Sequence, residues 1–194
     1  MKLYKAALAT SLLAFSSISY ANPDRYFGVS IGNSEFDSGI TTSTATLDEE
    51  DSNFKLLFGS QINENFAIEL SYHDYGESSL KGTTGDMFAI DGELLQFIQD
   101  GTVIVSGDSL AISGVFTHEL TPSISALGRV GLSMWNSEAE VSTSSASASV
   151  EDDGTDLLYG LGLQARIGSN SWIRAEYESH EDIELLNIGF IAYF

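Results

Sequence analysis

The stretch Glu184-Leu-Leu-Asn-Ile-Gly-Phe-Ile-Ala-Tyr-Phe194 decides the fold class, because its side chains alternate in character at the period of a β-strand. Counting back in twos from the final residue gives one unbroken apolar face, formed by Phe194, Ala192, Phe190, Ile188 and Leu186. The opposite face is mixed and consists of Tyr193, Ile191, Gly189 and Asn187. A strand of a transmembrane β-barrel needs this pattern, since one face meets lipid and the other lines the lumen.

Seven other segments have strand-like patterning, and their helical periodicity is poor. With the stretch above, the eight predicted strands are 25–36, 52–62, 65–75, 107–119, 123–136, 156–168, 171–180 and 184–194. About ten residues suffice for a tilted strand to cross the hydrocarbon of a bilayer, and bacterial single-chain barrels have an even number of strands. The sequence therefore predicts an all-β chain that forms a closed eight-stranded antiparallel up-and-down transmembrane β-barrel.

The gaps between the predicted strands alternate between short and long, except for a short last gap near 179–183. The short, turn-like gaps are 61–65, 120–123 and 168–171, and the long gaps are 37–51, 76–106 and 137–155. Outer-membrane barrels have short periplasmic turns and long outer loops, so we expect both chain ends in the periplasm. The long gaps hold the acidic stretches Asp48–Asp51 and Glu151–Asp156, and the Ser/Ala-rich run Ser142–Ser149 is expected to be mobile.

Residues 86–106 are too apolar for a flexible loop. The apolar residues are Met87, Phe88, Ile90, Leu94, Leu95, Phe97 and Ile98. The segment could form an extramembrane hairpin or a short helix that packs on its own loop, and an extended fourth strand could absorb Thr102–Val105. Alternatively, the apolar residues could form a patch that contacts a partner or lipid.

The N-terminus has the pattern of a secretory signal. Two early lysines precede the short, mostly apolar run 6–15, and Ser19-Tyr-Ala21 is a small-x-small cleavage site. The run is too short to span a bilayer as a helix. We therefore predict a signal peptide at residues 1–21 and an outer-membrane β-barrel domain at residues 22–194.

The composition is strongly acidic, with 28 acidic residues against 8 lysines and arginines and a net charge of −20. Such a surface repels nucleic acid, which we exclude as a partner. The chain has no cysteine and therefore no disulfide framework. Glu151–Asp156 offers clustered oxygen ligands but lacks the spacing of an EF-hand loop. We predict a solvated acidic loop there, and neither a metal nor a cofactor.

Assigning faces at a period of two puts every charge in a strand centre on the polar side of its strand. A charge that faced midplane lipid would cost roughly 2–4 kcal/mol, so this segregation indicates a polar lumen. The predicted lumen ion network consists of Lys55, Glu69, Arg129, Arg166, Arg174 and Glu176, with Glu178 on the same face. Lumen ions must be paired or hydrated, and eight strands leave an interior that side chains nearly fill. We interpret the network as a polar plug, with an ion gate as the alternative.

Six segments of the chain resemble strands of the OmpA-like transmembrane domain family. These segments are Tyr26–Gly32, Phe66–Asp74, Arg129–Trp135, Tyr159–Gln164, Arg174–Glu178 and Gly189–Phe194. The resemblance covers residues 25–194 apart from the long gap 76–106. In that family the third-strand glutamate and the fifth-strand arginine belong to a lumen ion network, which implies Glu69 and Arg129 here. The periplasmic peptidoglycan-binding domain of some members is not expected, so the resemblance is to barrel-only surface proteins.

The resemblance implies an integral protein of the outer membrane, in contact with outer-membrane lipid. We expect a monomer with a structural or surface-interaction role, in which acidic extracellular loops contact a partner. A porin-like channel for small solutes is the alternative.

A lipid-modifying enzyme is a third interpretation, since some eight-stranded barrels act on lipid A with a histidine, a serine and a carboxylate near the outer rim. His73 and His180 lie near outer strand ends with Glu178 nearby, but no motif links a nucleophile to a base. Histidines at a barrel rim are more often interfacial polar residues. We therefore expect no enzymatic activity.

The last strand is also expected to carry an assembly signal. The resemblance implies that barrel-assembly machinery recognises its apolar face, with Phe194, Phe190 and Ile188 as the signal residues. Phe194→Ser should therefore lower the amount of folded barrel in the outer membrane, measured as the heat-modifiable band on gels. An undiminished band would count against this role for Phe194.

Overall fold

The computed structural model describes residues 25–90, 92–143, 145–180 and 182–194. The predicted signal peptide at residues 1–21 lies outside the described residues. No helix in the described part of the chain is long and apolar enough to cross a membrane. Numbered in chain order, the strands are β1 Arg25–Phe36, β2 Ile40–Thr42, β3 Thr46–Asp48, β4 Glu50–Asn63, β5 Phe66–Gly82, β6 Met87–Ile90, β7 Glu93–Gln96, β8 Gly101–Thr121, β9 Ile124–Thr143, β10 Ser147–Arg166, β11 Ser171–His180 and β12 Ile183–Tyr193.

Eight of these strands form a closed antiparallel barrel, which confirms the predicted fold class. The hydrogen-bonded order is β1-β4-β5-β8-β9-β10-β11-β12, and β12 pairs back with β1. Each barrel strand thus pairs with the next barrel strand along the chain, as in an up-and-down barrel. We call the end with the short connections β4–β5, β8–β9 and β10–β11 the turn end, and the opposite end the loop end.

Four barrel strands continue far beyond the length needed to cross a membrane. β5 has 17 residues, β8 has 21, and β9 and β10 have 20 each, whereas about ten residues cross the hydrocarbon. The predicted strands 65–75, 107–119, 123–136 and 156–168 are therefore too short at the loop end. In the loop-end parts of these strands the apolar and polar residues do not alternate regularly, so the sequence signal of a strand is lost although the backbone pairing continues.

The loop-end extension, which comprises the described residues of 37–51, 76–106 and 137–155, is therefore largely strand. In the Ser142–Ser149 run, β9 ends at Thr143 and β10 begins at Ser147, and Ser142 pairs with Ser147. The expected mobility of this run stays a prediction.

The apolar segment 86–106 forms a hairpin and contains no helix in its described residues. β6 and β7 pair with each other and form a small separate sheet with β2. The rings of Phe88 and Phe97 lie 5.1 Å apart and pack the hairpin on its own loop. β8 begins at Gly101 and so includes 102–105, as the extended-strand interpretation predicts.

The barrel wall is apolar on the outside and polar on the inside. In the described residues, buried polar or charged side chains outnumber buried apolar ones by 20 to 12, the reverse of a soluble core. Outward-facing residues of the belt include Val29, Ile31, Leu70, Ile112, Val130, Leu132, Leu161, Ile173, Ile188 and Phe190. An exposed apolar surface of this extent fits a barrel that meets lipid.

A bulge in β5 lies where the barrel passes into the loop-end extension. The pairing of β5 with β8 shifts register between Asp74 and Glu77, and Gly76 has a φ of 77°. Glycine adopts this φ without steric cost, and a bulge of this kind bends and twists its strand. The Asp51 carboxylate accepts a hydrogen bond from the Glu77 amide at 2.8 Å and ties the bulge to β4.

If the belt faces lipid, the loss of stability caused by an added charge should depend strongly on where the charge is placed. Leu161 lies on the outer face and is 70% exposed, so Leu161→Arg should cost roughly 2–4 kcal/mol of unfolding free energy in a bilayer. Ile98 is 88% exposed in the loop-end extension, so Ile98→Arg should cost little. Urea titrations of both variants in lipid vesicles measure the difference, and equal costs would contradict a lipid-facing belt.

Candidate functional site in the barrel lumen

Six charged side chains meet inside the barrel and form the lumen ion network. They are Lys55 on β4, Glu69 on β5, Arg129 on β9, and Arg174, Glu176 and Glu178 on β11. The three residues on β11 are spaced by two, which puts them on one face of the strand. All six are at most 4% exposed, so their charges must be satisfied within the lumen.

Glu69 binds two arginines and a tyrosine. Its Oε1 accepts hydrogen bonds from Tyr26 Oη at 2.6 Å and from Arg174 Nη1 at 2.7 Å. Its Oε2 accepts a hydrogen bond from Arg129 Nη2. The guanidinium of Arg174 also lies 5.7 Å from the centre of the Tyr26 ring, a cation–π arrangement. Glu69 therefore connects β1, β9 and β11 across the lumen.

Glu176 and Glu178 take the remaining donors. Glu176 accepts hydrogen bonds from Arg129 Nη2 at 2.9 Å and from Lys55 Nζ at 3.2 Å. Lys55 Nζ also donates to Glu178 Oε1, and Glu178 Oε2 lies 3.7 Å from Arg129 Nη1. Each lysine or arginine of the network thus lies within ion-pair distance of at least two carboxylates.

The network is balanced, with three cations and three carboxylates. Balance matters because removing one partner of a buried ion pair leaves an uncompensated charge, which costs about 3–5 kcal/mol. The six residues therefore fill the lumen as a set rather than as independent pairs.

Two glycines on β10 make room for the carboxylates of β11. A Cβ at Gly162 would lie 2.9 Å from Glu176 Cγ, and a Cβ at Gly160 would lie 3.0 Å from Glu178 Cγ. Both distances are too short for a side chain without displacement of the glutamates. The next inward position of β10 is Gln164, whose Oε1 accepts hydrogen bonds from Arg174 at 3.1 and 3.2 Å.

An apolar layer closes the lumen on the turn-end side of the network. It consists of Tyr26, Leu57, Ala67, Val115, Leu127 and Ile191, with Trp172 and Tyr193 packed against it. The Tyr26 and Tyr193 rings lie 4.8 Å apart, and the Tyr26 hydroxyl joins this layer to the ion network. The layer and the network thus follow each other along the lumen.

Arg166 does not take part in the lumen network, contrary to the sequence-based expectation. Its side chain is exposed, and its guanidinium lies over the Trp172 ring at 4.7 Å from the ring centre. Arg166 shares the inward face of β10 with Gln164, but it is the last residue of the strand. The last residue of β10 lies at the turn end of the barrel, so the side chain of Arg166 contacts solvent instead of a carboxylate.

Two histidines and a tyrosine lie on the loop-end side of the network. His73 and Tyr75 on β5, and His180 on β11, are each at most 4% exposed. The expectation of interfacial histidines at the rim is therefore wrong, because these side chains point into the lumen. The period-two assignment of faces already puts His73 on the same face as Glu69, and the same count from Glu69 and from Glu178 reaches Tyr75 and His180.

A cavity of about 260 Å³ opens at the loop end beyond these residues. Tyr75, His180, Trp135, Asp156 and Asp182 are among the residues that line it. The lumen thus continues from the histidines into this cavity at the loop end.

The family model of the OmpA-like transmembrane domain matches residues 20–187 of the chain. Among solved structures, Ail, the attachment invasion locus protein of Yersinia pestis, is similar with 19% identity and a TM-score of 0.51, over 88% of this chain and 98% of that chain. The N-terminal β-barrel domain of Pseudomonas aeruginosa OprF has 11% identity and a TM-score of 0.52, with 88% and 98% of the two chains covered. The outer membrane protein OprG from Pseudomonas aeruginosa has 11% identity and a TM-score of 0.53, with 87% and 96% covered. At these identities the structural similarity establishes the fold alone, and no curated protein matches the chain.

The ion network predicts strong coupling between Glu69 and Arg174. Glu69→Gln and Arg174→Met should each destabilise the barrel, because each leaves the opposite charge in excess. The double variant restores balance and should cost less than the sum of the single variants, by about 0.5–3 kcal/mol. Urea unfolding of the four proteins in vesicles measures this coupling, and additive costs would show that the two residues do not act as a pair.

Proposed function

Because the chain belongs to the OmpA-like transmembrane domain family, we propose that it is an integral outer-membrane protein that acts by surface interaction. In this proposal the barrel is a closed anchor, and the loop-end extension contacts an extracellular partner. The turn end and both chain ends face the periplasm, as the short turns and long outer loops of outer-membrane barrels imply. The observation that carries the proposal is the combination of a filled lumen with a tall, ordered and acidic extension.

The filled lumen supports an anchor rather than a channel. Eight strands enclose little space, and here the ion network and the apolar layer fill it in series. A passage for solute would require several buried ion pairs to separate at once. A structural or interaction role therefore fits the barrel better than the porin-like alternative.

The charge of the loop-end extension supports a basic partner. The long hairpin of β9 and β10 carries an acidic ridge on one face, which consists of Glu138, Glu140, Glu151 and Asp153. Glu138 lies directly opposite Glu151, and like charges opposite each other destabilise a strand pair. A cationic partner bound to the ridge would relieve this repulsion.

The hairpin of β6 and β7 adds an apolar surface to the same extension. Leu94 is 67% exposed, Leu95 is 42% exposed, and Ile98, just after the hairpin, is 88% exposed. Exposed apolar groups that lie away from the lipid belt are typical of contact sites. The proposed partner therefore has basic groups and an apolar surface.

Catalysis is not part of the proposal, although the lumen contains a serine beside a histidine. Ser71 Oγ lies 2.9 Å from His73 Nε2, and the Glu178 carboxylate lies 3.9 Å from the same nitrogen. In a nucleophile–histidine–carboxylate triad the carboxylate binds the other ring nitrogen. Ser71 is also 1% exposed, which places its hydroxyl out of reach of a lipid substrate.

The acidic ridge can be tested with a lysine-rich peptide as the probe. In nanodiscs of neutral lipid, Glu138→Gln/Glu151→Gln should weaken peptide binding by about 2- to 10-fold, the effect of two exposed charges. The matched control is Glu64→Gln/Glu119→Gln, which removes the same charge from exposed residues at the turn end. Fluorescence anisotropy measures both, and equal losses in the two variants would reject the ridge as the binding surface.

The closed anchor can be tested by conductance in planar bilayers. The wild-type barrel should be closed, with rare small openings. Glu69→Ala removes the carboxylate that holds both arginines, so it should raise the opening frequency. Stable large conductance of the wild-type barrel would reject the closed lumen and favour the porin-like alternative.

A further inference from the structure

A cluster of two buried histidines and a carboxylate lies between the ion network and the cavity at the loop end. His73 Nε2 is 3.9 Å and His180 Nε2 is 3.7 Å from Glu178 Oε2. One ligand atom from each residue lies within 4.8 Å of the others. Ligands of a tetrahedral zinc ion lie about 2.0–2.2 Å from the metal and hence about 3.3–3.5 Å from one another. Rotation of the two imidazoles toward the carboxylate would give this spacing.

Three atoms of the cluster have no hydrogen-bond partner among the described residues. They are His73 Nδ1, His180 Nε2 and Glu178 Oε2. A buried polar atom without a partner costs free energy, so such atoms need an explanation. His180 Nε2 and Glu178 Oε2 face each other across a gap too long for a hydrogen bond, and a metal ion between them would satisfy both. His73 Nε2 would exchange its contact with Ser71 Oγ for the metal ion.

Tyr75 orients His180 for such a role. The Tyr75 hydroxyl oxygen lies 3.0 Å from His180 Nδ1 and 2.5 Å from Ser109 Oγ. When the phenol donates to Ser109, it accepts the proton of His180 Nδ1, and the lone pair of Nε2 is left directed toward Glu178. Metal-binding histidines make this kind of contact through their second ring nitrogen, which fixes the tautomer and the ring.

The surroundings of Glu178 also fit a ligand role. Lys55 holds Oε1 by a hydrogen bond, which leaves Oε2 turned toward the histidines. Arg129 Nη1 is 3.7 Å from Oε2, beyond hydrogen-bond distance. Because the ion network is already balanced, a divalent ion adds charge, and we expect an anion such as chloride or hydroxide in its fourth position.

The cluster can be reached from outside the barrel. His180 and Tyr75 line the cavity of about 260 Å³ at the loop end, together with Asp156 and Asp182. These carboxylates attract cations toward the cavity. An ion in the cavity would meet the cluster at His180, the one proposed ligand that lines it, without crossing the ion network.

We propose that His73, Glu178 and His180 bind a divalent transition-metal ion, with zinc as the best match. Two imidazoles and one carboxylate suit zinc, copper or nickel, whereas calcium and magnesium prefer oxygen ligands. The site departs from the sequence-based expectation that the chain holds no metal. In the barrel, β4, β1 and β12 lie between β5 and β11. The ion would therefore connect two strands that are not hydrogen-bonded to each other.

The direct test is a zinc titration of the barrel purified from membranes, folded in nanodiscs and stripped with a chelator. Calorimetry in an excess of Mg²⁺, which occupies the acidic surface, should show one Zn²⁺ per barrel with a dissociation constant of about 10 μM or tighter. Zn²⁺ should also raise the unfolding temperature by mass action. X-ray absorption of the bound ion should show two imidazole ligands.

Substitutions assign the binding to the cluster. His73→Gln and His180→Gln should each weaken zinc binding about 100-fold or more, since loss of an outer contact alone costs about 10- to 100-fold. The matched control is His118→Gln, which removes an exposed histidine near the turn end and should leave zinc binding unchanged. Heat-modifiable mobility on gels verifies that each variant is folded.

Three outcomes would overturn the proposal. They are an absence of one-ion binding to the wild-type barrel, zinc binding that survives in both His73→Gln and His180→Gln, and an X-ray absorption spectrum without imidazole. The first and third need no substitution, so the proposal stays testable even where a lumen variant fails to fold.

Discussion

Every backbone amide and carbonyl group that crosses the hydrocarbon of a membrane needs a partner within the protein, because no water is present to bind it. A closed ring of eight antiparallel strands meets this requirement without leaving an edge. The ring then fixes the direction of each side chain, alternately toward lipid and toward the lumen. The apolar belt and the polar interior are both consequences of this closure.

The small strand number imposes a second constraint, which is a narrow lumen. Charges in a narrow lumen have little water, so they must neutralise one another. Three carboxylates and three cations do so here, and the absence of side chains at Gly160 and Gly162 leaves room for two of the carboxylates. Tyr26 joins the network to the apolar layer, so two chemically different layers are in contact inside the barrel.

Four barrel strands also form most of the loop-end extension. β5, β8, β9 and β10 continue without interruption into the loop-end extension, where their apolar and polar residues do not alternate regularly. The extension is thus held in register by the barrel, and its acidic ridge has a fixed geometry. The histidine cluster lies at the junction of the two parts, between a neutral network and an open cavity. A ligand bound there would be in contact with both the anchor and the region proposed to meet a partner.

The sequence by itself determined the strands, their faces and most of the lumen charges. This was possible because alternation is local: the parity of Glu69 or Arg174 along its own strand decides whether it faces lipid or lumen. The tertiary structure decided three further features, namely the height of the extension, the position of Arg166 and the cluster around His180. The extension does not contact lipid, so its residues lack the regular apolar alternation that predicts a membrane strand. Arg166 lies on the inward face of β10, as predicted, but at the last residue of the strand, beyond the ion network. His73 and Glu178 are 105 residues apart in the chain. Closure of the barrel and the register of its strands bring the two side chains close together. No local pattern in either strand predicts this contact.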